Sequence, residues 1–206
     1  MIMEYNKDKK EITLKRELNK LDRFVLDFIK ILEKHAGYVI VSGYVSILLG
    51  RTRATEDVDI LIKEIPKDKF EKLWKELYSK GFECINTSKS DEALDMLNEI
   101  AIRFFKEKPV PNIEFKTIKT ELDKYSFENK IKAVLREGSL FISPIELQIA
   151  YKLFLAADGT EEELQSDKNI EDARHLYKIF KEKLNKEELL TFINKLNVGK
   201  KMRLLE

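Results

Sequence analysis

The stretch Tyr38–Ile62, YVIVSGYVSILLGRTRATEDVDILI, decides the fold. Tyr38 to Val41 is a β-branched run that reads as a strand, and Ser42-Gly43 breaks it. Val45, Ile47, Leu48 and Leu49 then resume as a short buried helix ending at Gly50. Asp57–Ile62 alternates polar and apolar residues, the pattern of a strand buried on one face, so Asp57 and Asp59 point the same way. A turn at Gly43 lets the backbone approach a phosphate, and a helix opening there offers unpaired N–H groups to an anion. Two acids one residue apart on a strand can jointly hold a hard cation such as Mg²⁺ through carboxylate oxygens. Alone, Asp-x-Asp is most often a solvated strand edge. The preceding turn and the helix that opens from it suit phosphoryl chemistry.

Outward from this segment the chain alternates helices and strands. Upstream, Leu14, Leu18, Leu21, Val25, Phe28 and Leu32 form the stripe of a long amphipathic helix, with Gly37 past its end. Downstream, Pro66 opens a helix carrying Phe70, Leu73, Trp74 and Leu77, and residues 82–85 form a strand. A short helix over 90–98 precedes strands at 100–105 and 113–118. These form an antiparallel hairpin, with Pro109 and Pro111 keeping the connecting loop irregular. After an extended stretch over 135–142, Ser143-Pro144-Ile145-Glu146 reads as N-cap, first-turn proline and capping acid of a helix to about Ala157. Two helices follow, over 170–183 and 186–196. The expected organisation is an α/β (α+β) part over residues 1–142 and a helical part over 143–206.

The quoted segment resembles the signature of the polymerase-beta-like nucleotidyltransferases: a hydrophobic residue, Gly, Gly or Ser, a gap, then Asp, a hydrophobic residue and Asp or Glu. The nearer likeness is to the AbiEii-type toxin branch, with Ser42-Gly43 at the paired-glycine position and Leu49-Gly50 at the His-Gly position. Arg53, Thr55, Asp57 and Asp59 match the R-x-T-x-D-x-D run. Ser42, Val45 and Leu49 depart from it. The likeness continues through Ser143-Pro144-Ile145-Glu146-Leu147, Lys152-Leu153 and Asp167 to Asp172, and covers roughly Tyr38 to Tyr177.

The resemblance implies a nucleotidyltransferase core with a mixed sheet plus a C-terminal helical part. It implies transfer of a nucleoside monophosphate from a nucleoside triphosphate to an acceptor hydroxyl, with Mg²⁺ or Mn²⁺ as cofactor. Asp57, Asp59 and Glu114 are the implied metal ligands, Glu114 serving also as candidate general base. Ser42, Gly43, Arg53, Thr55 and Lys152 are the implied nucleotide-binding residues, and Lys152 and Asp172 complete the implied catalytic set. The implied acceptor is tRNA or another RNA, within a toxin–antitoxin pair holding a cognate antitoxin. The alternative is a catalytically degenerate protein of the same fold that binds a nucleotide or partner without turnover.

Composition excludes other classes. The 206 residues are 43% hydrophobic and 36% charged with a net charge of +1, which gives a globular chain without the strong basic bias of a dedicated nucleic-acid binder. The basic runs at Lys15–Arg23 and Lys195–Arg203 read as solvated faces. The uncharged run from His35 to Gly50 is too short and glycine-rich to span a bilayer, and the polar start lacks a secretory h-region. A cytoplasmic protein with no membrane association is expected. Glutamine occurs only at 148 and 165, a bias shared with thermophile proteins. Cys84 reads as a small buried hydrophobe, Phe70 and Trp74 as core, and His35 and His175 as structural.

Overall fold

The computed structural model describes residues 2–206. Its centre is a mixed sheet of nine strands: β1 (Ile2–Asn6), β2 (Glu11–Lys15), β3 (Tyr38–Val41), β4 (Asp57–Ile62), β5 (Phe82–Cys84), β6 (Ile102–Lys106), β7 (Lys108–Thr117), β8 (Ile131–Leu135) and β9 (Gly138–Ile142). They lie in the order β1-β2-β8-β9-β3-β4-β7-β6-β5. The helices are α1 (Lys20–Leu32), α2 (Gly43–Leu48), α3 (Lys67–Ser79), α4 (Ser90–Glu99), α5 (Glu121–Glu128), α6 (Ile145–Leu155), α7 (Glu161–Gln165), α8 (Lys168–Phe180) and α9 (Lys186–Lys195), followed by a 3₁₀ turn over Gly199–Leu205. The mixed α/β class and the β3–α2–β4 unit stand as expected.

Alternation over residues 57–60 of β4 and 113–116 of β7 positions the site. Val58 and Ile60 on β4 and Ile113 and Phe115 on β7 are fully buried. They turn towards the α1 and α3 side, where Phe28 stands 5.9 Å from Phe115 and Trp74 5.7 Å from Phe104 between ring centroids. Burying these side chains fixes the register of the β4–β7 pair, which is parallel and sets Asp57 opposite Asn112 and Asp59 opposite Glu114. A one-residue slip would send the acids into the aromatic core.

Several sequence expectations need correction. Helix α1 begins at Lys20, not Leu14. Leu14 belongs to β2, which pairs antiparallel with β1 so that Met3 faces Leu14 and Tyr5 faces Ile12. The helical stripe counted from Leu14 merged a two-residue period with a 3.6-residue one, and Asn19, whose side chain accepts from the Asp22 N–H, marks the true start. Strand β7 runs through Pro109 and Pro111 because residues 108–111 have no β4 partner, so the missing N–H groups break no ladder there. The stretch over 135–142 is one arm of a hairpin, β8 against β9. Ser143 does not cap α6; its hydroxyl pairs with that of Ser126 at 3.0 Å, while Glu146 accepts from the Asn185 backbone N–H at 2.7 Å. Among the described residues no helix is long and apolar enough to cross a membrane.

Candidate active site

Three layers build the site. The first is the turn between β3 and α2. Ser42 sits at φ 63° and ψ −134°, a backbone region that glycine favours. Gln148 on α6 holds it there, accepting from the Ser42 N–H at 3.2 Å and donating to the Ser42 carbonyl at 2.6 Å. Gly43 is required for a different reason. A Cβ at this position would lie 2.8 Å from the Arg53 guanidinium and 3.7 Å from the Thr55 hydroxyl. The guanidinium therefore rests directly on the turn, where an anion approaching the backbone would meet it.

The second layer orients Arg53. Its Nε and Nη2 donate to the two oxygens of Asp172 at 3.0 and 2.7 Å, a bidentate pair. Asp172 is fully buried on α8 and also accepts from Lys152 Nζ at 3.0 Å, and Arg51 Nε lies 3.8 Å away. Lys152 is 2% exposed and donates also to Asn169 Oδ1 at 3.1 Å. Burial pushes its ammonium pKa down, and Asp172 works against that shift. Lys152 is thus an interior partner of Asp172, not an open clamp reaching for a triphosphate. The pair acts on the site through Arg53.

The third layer is the acid row on β4 and β7. Thr55 Oγ1 donates to the Asp57 carbonyl at 3.0 Å and fixes the entry to β4. Asp59 and Glu114, set opposite by register, share Lys116, whose Nζ lies 2.8 Å from Asp59 Oδ1 and 2.6 Å from Glu114 Oε1. Arg103 on β6 takes the other Glu114 oxygen at 2.8 Å. Burial raises the Asp59 pKa, with Lys116 opposing and Glu114 and Asp57 adding to the rise. For Glu114 burial also works upward, but Lys116 and Arg103 outweigh it and the pKa is lowered. Burial disfavours the Lys116 charge, yet Asp59 and Glu114 hold its pKa above the ordinary value.

The donor set fits a hard dication at Asp57 and Asp59, because Mg²⁺ commonly takes one or two protein carboxylates and completes its shell with phosphate and water oxygens. It does not fit a third ligand at Glu114 as the side chains stand, since both Glu114 oxygens are engaged by cations. Among the described residues no group of three or more His, Cys, Asp or Glu side chains is gathered for a metal.

The structure therefore brings Ser42, Gly43, Arg53 and Thr55 together at the turn and Asp57, Asp59 and Glu114 along one sheet face, with Lys152 and Asp172 behind Arg53. Sequence reasoning missed Gln148, Lys116 and Arg103. Lys116 carried a usable signal: Glu114 and Lys116 alternate with Ile113 and Phe115, so both belong on the acid face. Gln148 carried none, because its partner is a backbone turn 106 residues away.

Neither family models nor curated proteins match this chain. Solved structures do. A nucleotidyltransferase-like antigenic protein from Paracoccidioides brasiliensis superposes with a TM-score of 0.54 at 15% identity, covering 89% of this chain and 90% of that one. The antibiotic-resistance factor ANT(2'')-Ia matches with a TM-score of 0.53 at 12% identity, covering 85% and 90%. Its complex with adenylyl-2''-tobramycin gives 0.51 at 14%, covering 86% and 95%. A glycine turn packed on an arginine, followed by paired acids on a central strand of such a sheet, thus lies in a chain that has the nucleotidyltransferase-like fold.

Proposed function

We propose that this protein transfers a nucleoside monophosphate from a nucleoside triphosphate to an acceptor hydroxyl. The observation that carries the reading is Arg53, locked bidentately by buried Asp172 and laid against Gly43, beside an acid pair projecting from one strand. The turn and Arg53 bind phosphate oxygens; Thr55 and the β4–β7 register hold the acids in place. Asp57 and Asp59 would hold a divalent ion, which would supply charge neutralisation for the phosphates. The acceptor oxygen forms its bond to the α-phosphorus as the bond from that phosphorus to the bridging oxygen breaks and pyrophosphate leaves. Catalysis is chiefly alignment and electrostatic stabilisation.

The choice of Mg²⁺ or Mn²⁺ and an antitoxin partner draw their support from the motif likeness to AbiEii-type proteins, and an RNA acceptor has that likeness alone behind it. The degenerate-binder reading has a specific observation in its favour: Lys116 and Arg103 already neutralise Glu114. We assign Glu114 as the counter-ion that positions Lys116. Turnover with a two-acid site is then the discriminating result.

The test is direct. Calorimetry with a non-hydrolysable nucleoside triphosphate and Mn²⁺ should show binding that is lost in Asp57→Asn, while circular dichroism of the variant stays unchanged. Undiminished metal-dependent affinity in both Asp57→Asn and Asp59→Asn would overturn the assignment. Transfer of label from an α-phosphate-labelled triphosphate to an acceptor by the wild type, with unlabelled pyrophosphate released, separates the enzyme from the degenerate binder.

A further inference from the structure

A cavity of about 680 Å³ opens on the acid row, between the sheet face, α5 and α6. Ser42, Asp59 and Lys116 belong to its wall, whereas Gly43, Arg53, Thr55 and Asp57 take no part in it. The rest is dominated by Leu122, Leu147, Tyr151, Phe154, Leu155 and Ile100. Three of these are apolar side chains left open to solvent at the rim: Ile100 is 56% exposed, Phe154 50% and Leu155 41%. Apolar surface concentrated around a concavity marks a binding site.

Polar residues are interspersed with the apolar ones, and the two cations among them are already engaged. Lys116 is held by Asp59 and Glu114, and Lys119 Nζ donates to the Glu99 carbonyl. The wall carries two cations, Lys116 and Lys119, against three acids, Asp59, Glu99 and Asp123. The Tyr151 ring stands 5.9 Å from that of Phe154 between centroids, and both belong to the wall.

From this geometry we infer that the cavity is the acceptor site and that the acceptor is a compact, uncharged amphipathic molecule with an apolar body and a hydroxyl directed at Asp59. The inference rests on the nucleotidyl-transfer reading above. In-line displacement needs the nucleophile and the leaving pyrophosphate on opposite sides of the α-phosphorus. With the phosphate cradle built from Gly43, Arg53 and Thr55 outside the cavity wall, the cavity supplies the other side. An RNA acceptor needs a basic track along its backbone, and a polycation needs a surplus of acids with open oxygens. This wall is mainly apolar, its two lysines are already bound to oxygens, and its acids exceed its cations by only one.

Saturation-transfer NMR with phenyl β-glucoside as probe, against tobramycin and a tRNA, tests the proposal in the presence of a non-hydrolysable nucleoside triphosphate. The expected result is saturable binding of phenyl β-glucoside at least tenfold tighter than tobramycin, with tRNA failing to displace it. Phe154→Asp, at a half-exposed position the fold tolerates, should weaken the glucoside at least tenfold and leave nucleotide affinity unchanged. Leu122→Arg should do the same. Loss of nucleotide affinity together with glucoside affinity in both variants would assign the cavity to the nucleoside and overturn the proposal. Preferential binding of tRNA or tobramycin would overturn it as well. Absence of nucleotide binding by the wild type would defeat the nucleotidyl-transfer reading itself, whereas nucleotide binding without saturable glucoside binding defeats only the acceptor assignment.

Discussion

Ser42 shows how one residue stores conformational cost for the sake of a site. A non-glycine residue at φ 63° and ψ −134° is strained by about 1–3 kcal/mol, and Gln148 holds it by bonding both its N–H and its carbonyl. Replacing Ser42 by Gly removes the strain at a loss of roughly 0.5–1 kcal/mol in chain entropy. Ser42→Gly should therefore leave the protein equally or more stable, with a thermal midpoint a few degrees higher and nucleotide affinity retained. A clear fall in the midpoint would show that the serine hydroxyl contributes more than its backbone costs. Arg53 is the opposite case, a residue whose role lies in ligand binding. Arg53→Met removes a charge-assisted hydrogen bond of about 1.5–3 kcal/mol, so triphosphate affinity measured by calorimetry should fall roughly 10- to 150-fold.

At the scale of elements, the β4–β7 pair carries an acid row whose titration has a definite sign. The Asp59 pKa is raised in the folded state, chiefly by burial, so its contribution to stability is fully present below the unfolded value of 3.8 and is lost as pH climbs through the folded value. Glu114, with a lowered pKa, contributes stability above 4.5 that is lost as pH falls through its folded value. Asp59→Asn removes only the first term. The stability of Asp59→Asn relative to wild type should therefore rise with pH across the carboxylate range and then level off. Urea unfolding of both proteins from pH 3 to 7 measures this difference, and a flat difference curve would mean that Lys116 fully compensates Asp59.

At the scale of the whole molecule, α6 and α8 join the helical part to the sheet through one buried charge cluster. Lys152 and Asp172 meet where α6 packs on α8, and Asp172 reaches across to Arg53 in the segment before β4. Lys152→Met should cost on the order of 3 kcal/mol, the lower end for breaking a buried ion pair, because Arg53 still compensates Asp172. Urea denaturation would read this as a lower midpoint with nucleotide affinity little changed. A large loss of affinity at unchanged stability would restore Lys152 to direct contact with the triphosphate.

What the sequence by itself determined lies where the signal is local. The run from Tyr38 to Ile62 specified strand, turn, short helix and strand through alternation and glycine placement, and it put Asp57 and Asp59 on one face. Those properties follow from backbone periodicity and need no distant partner. The hairpin of β1 and β2 was equally local, and was missed because Leu14 and Leu18 also fit a helical stripe. Only the tertiary structure decided what the charges do. Lys152 reads as a triphosphate-binding cation from the resemblance alone; it is buried, with Asp172 and Asn169 on α8 satisfying it. Glu114 reads as a metal ligand or general base, but Arg103 reaches it across the β6–β7 pairing and Lys116 bridges it to Asp59. A side chain's charge is written in the sequence, whereas its partner, and with it the choice between ligand, counter-ion and anchor, depends on strand register and helix packing over long separations.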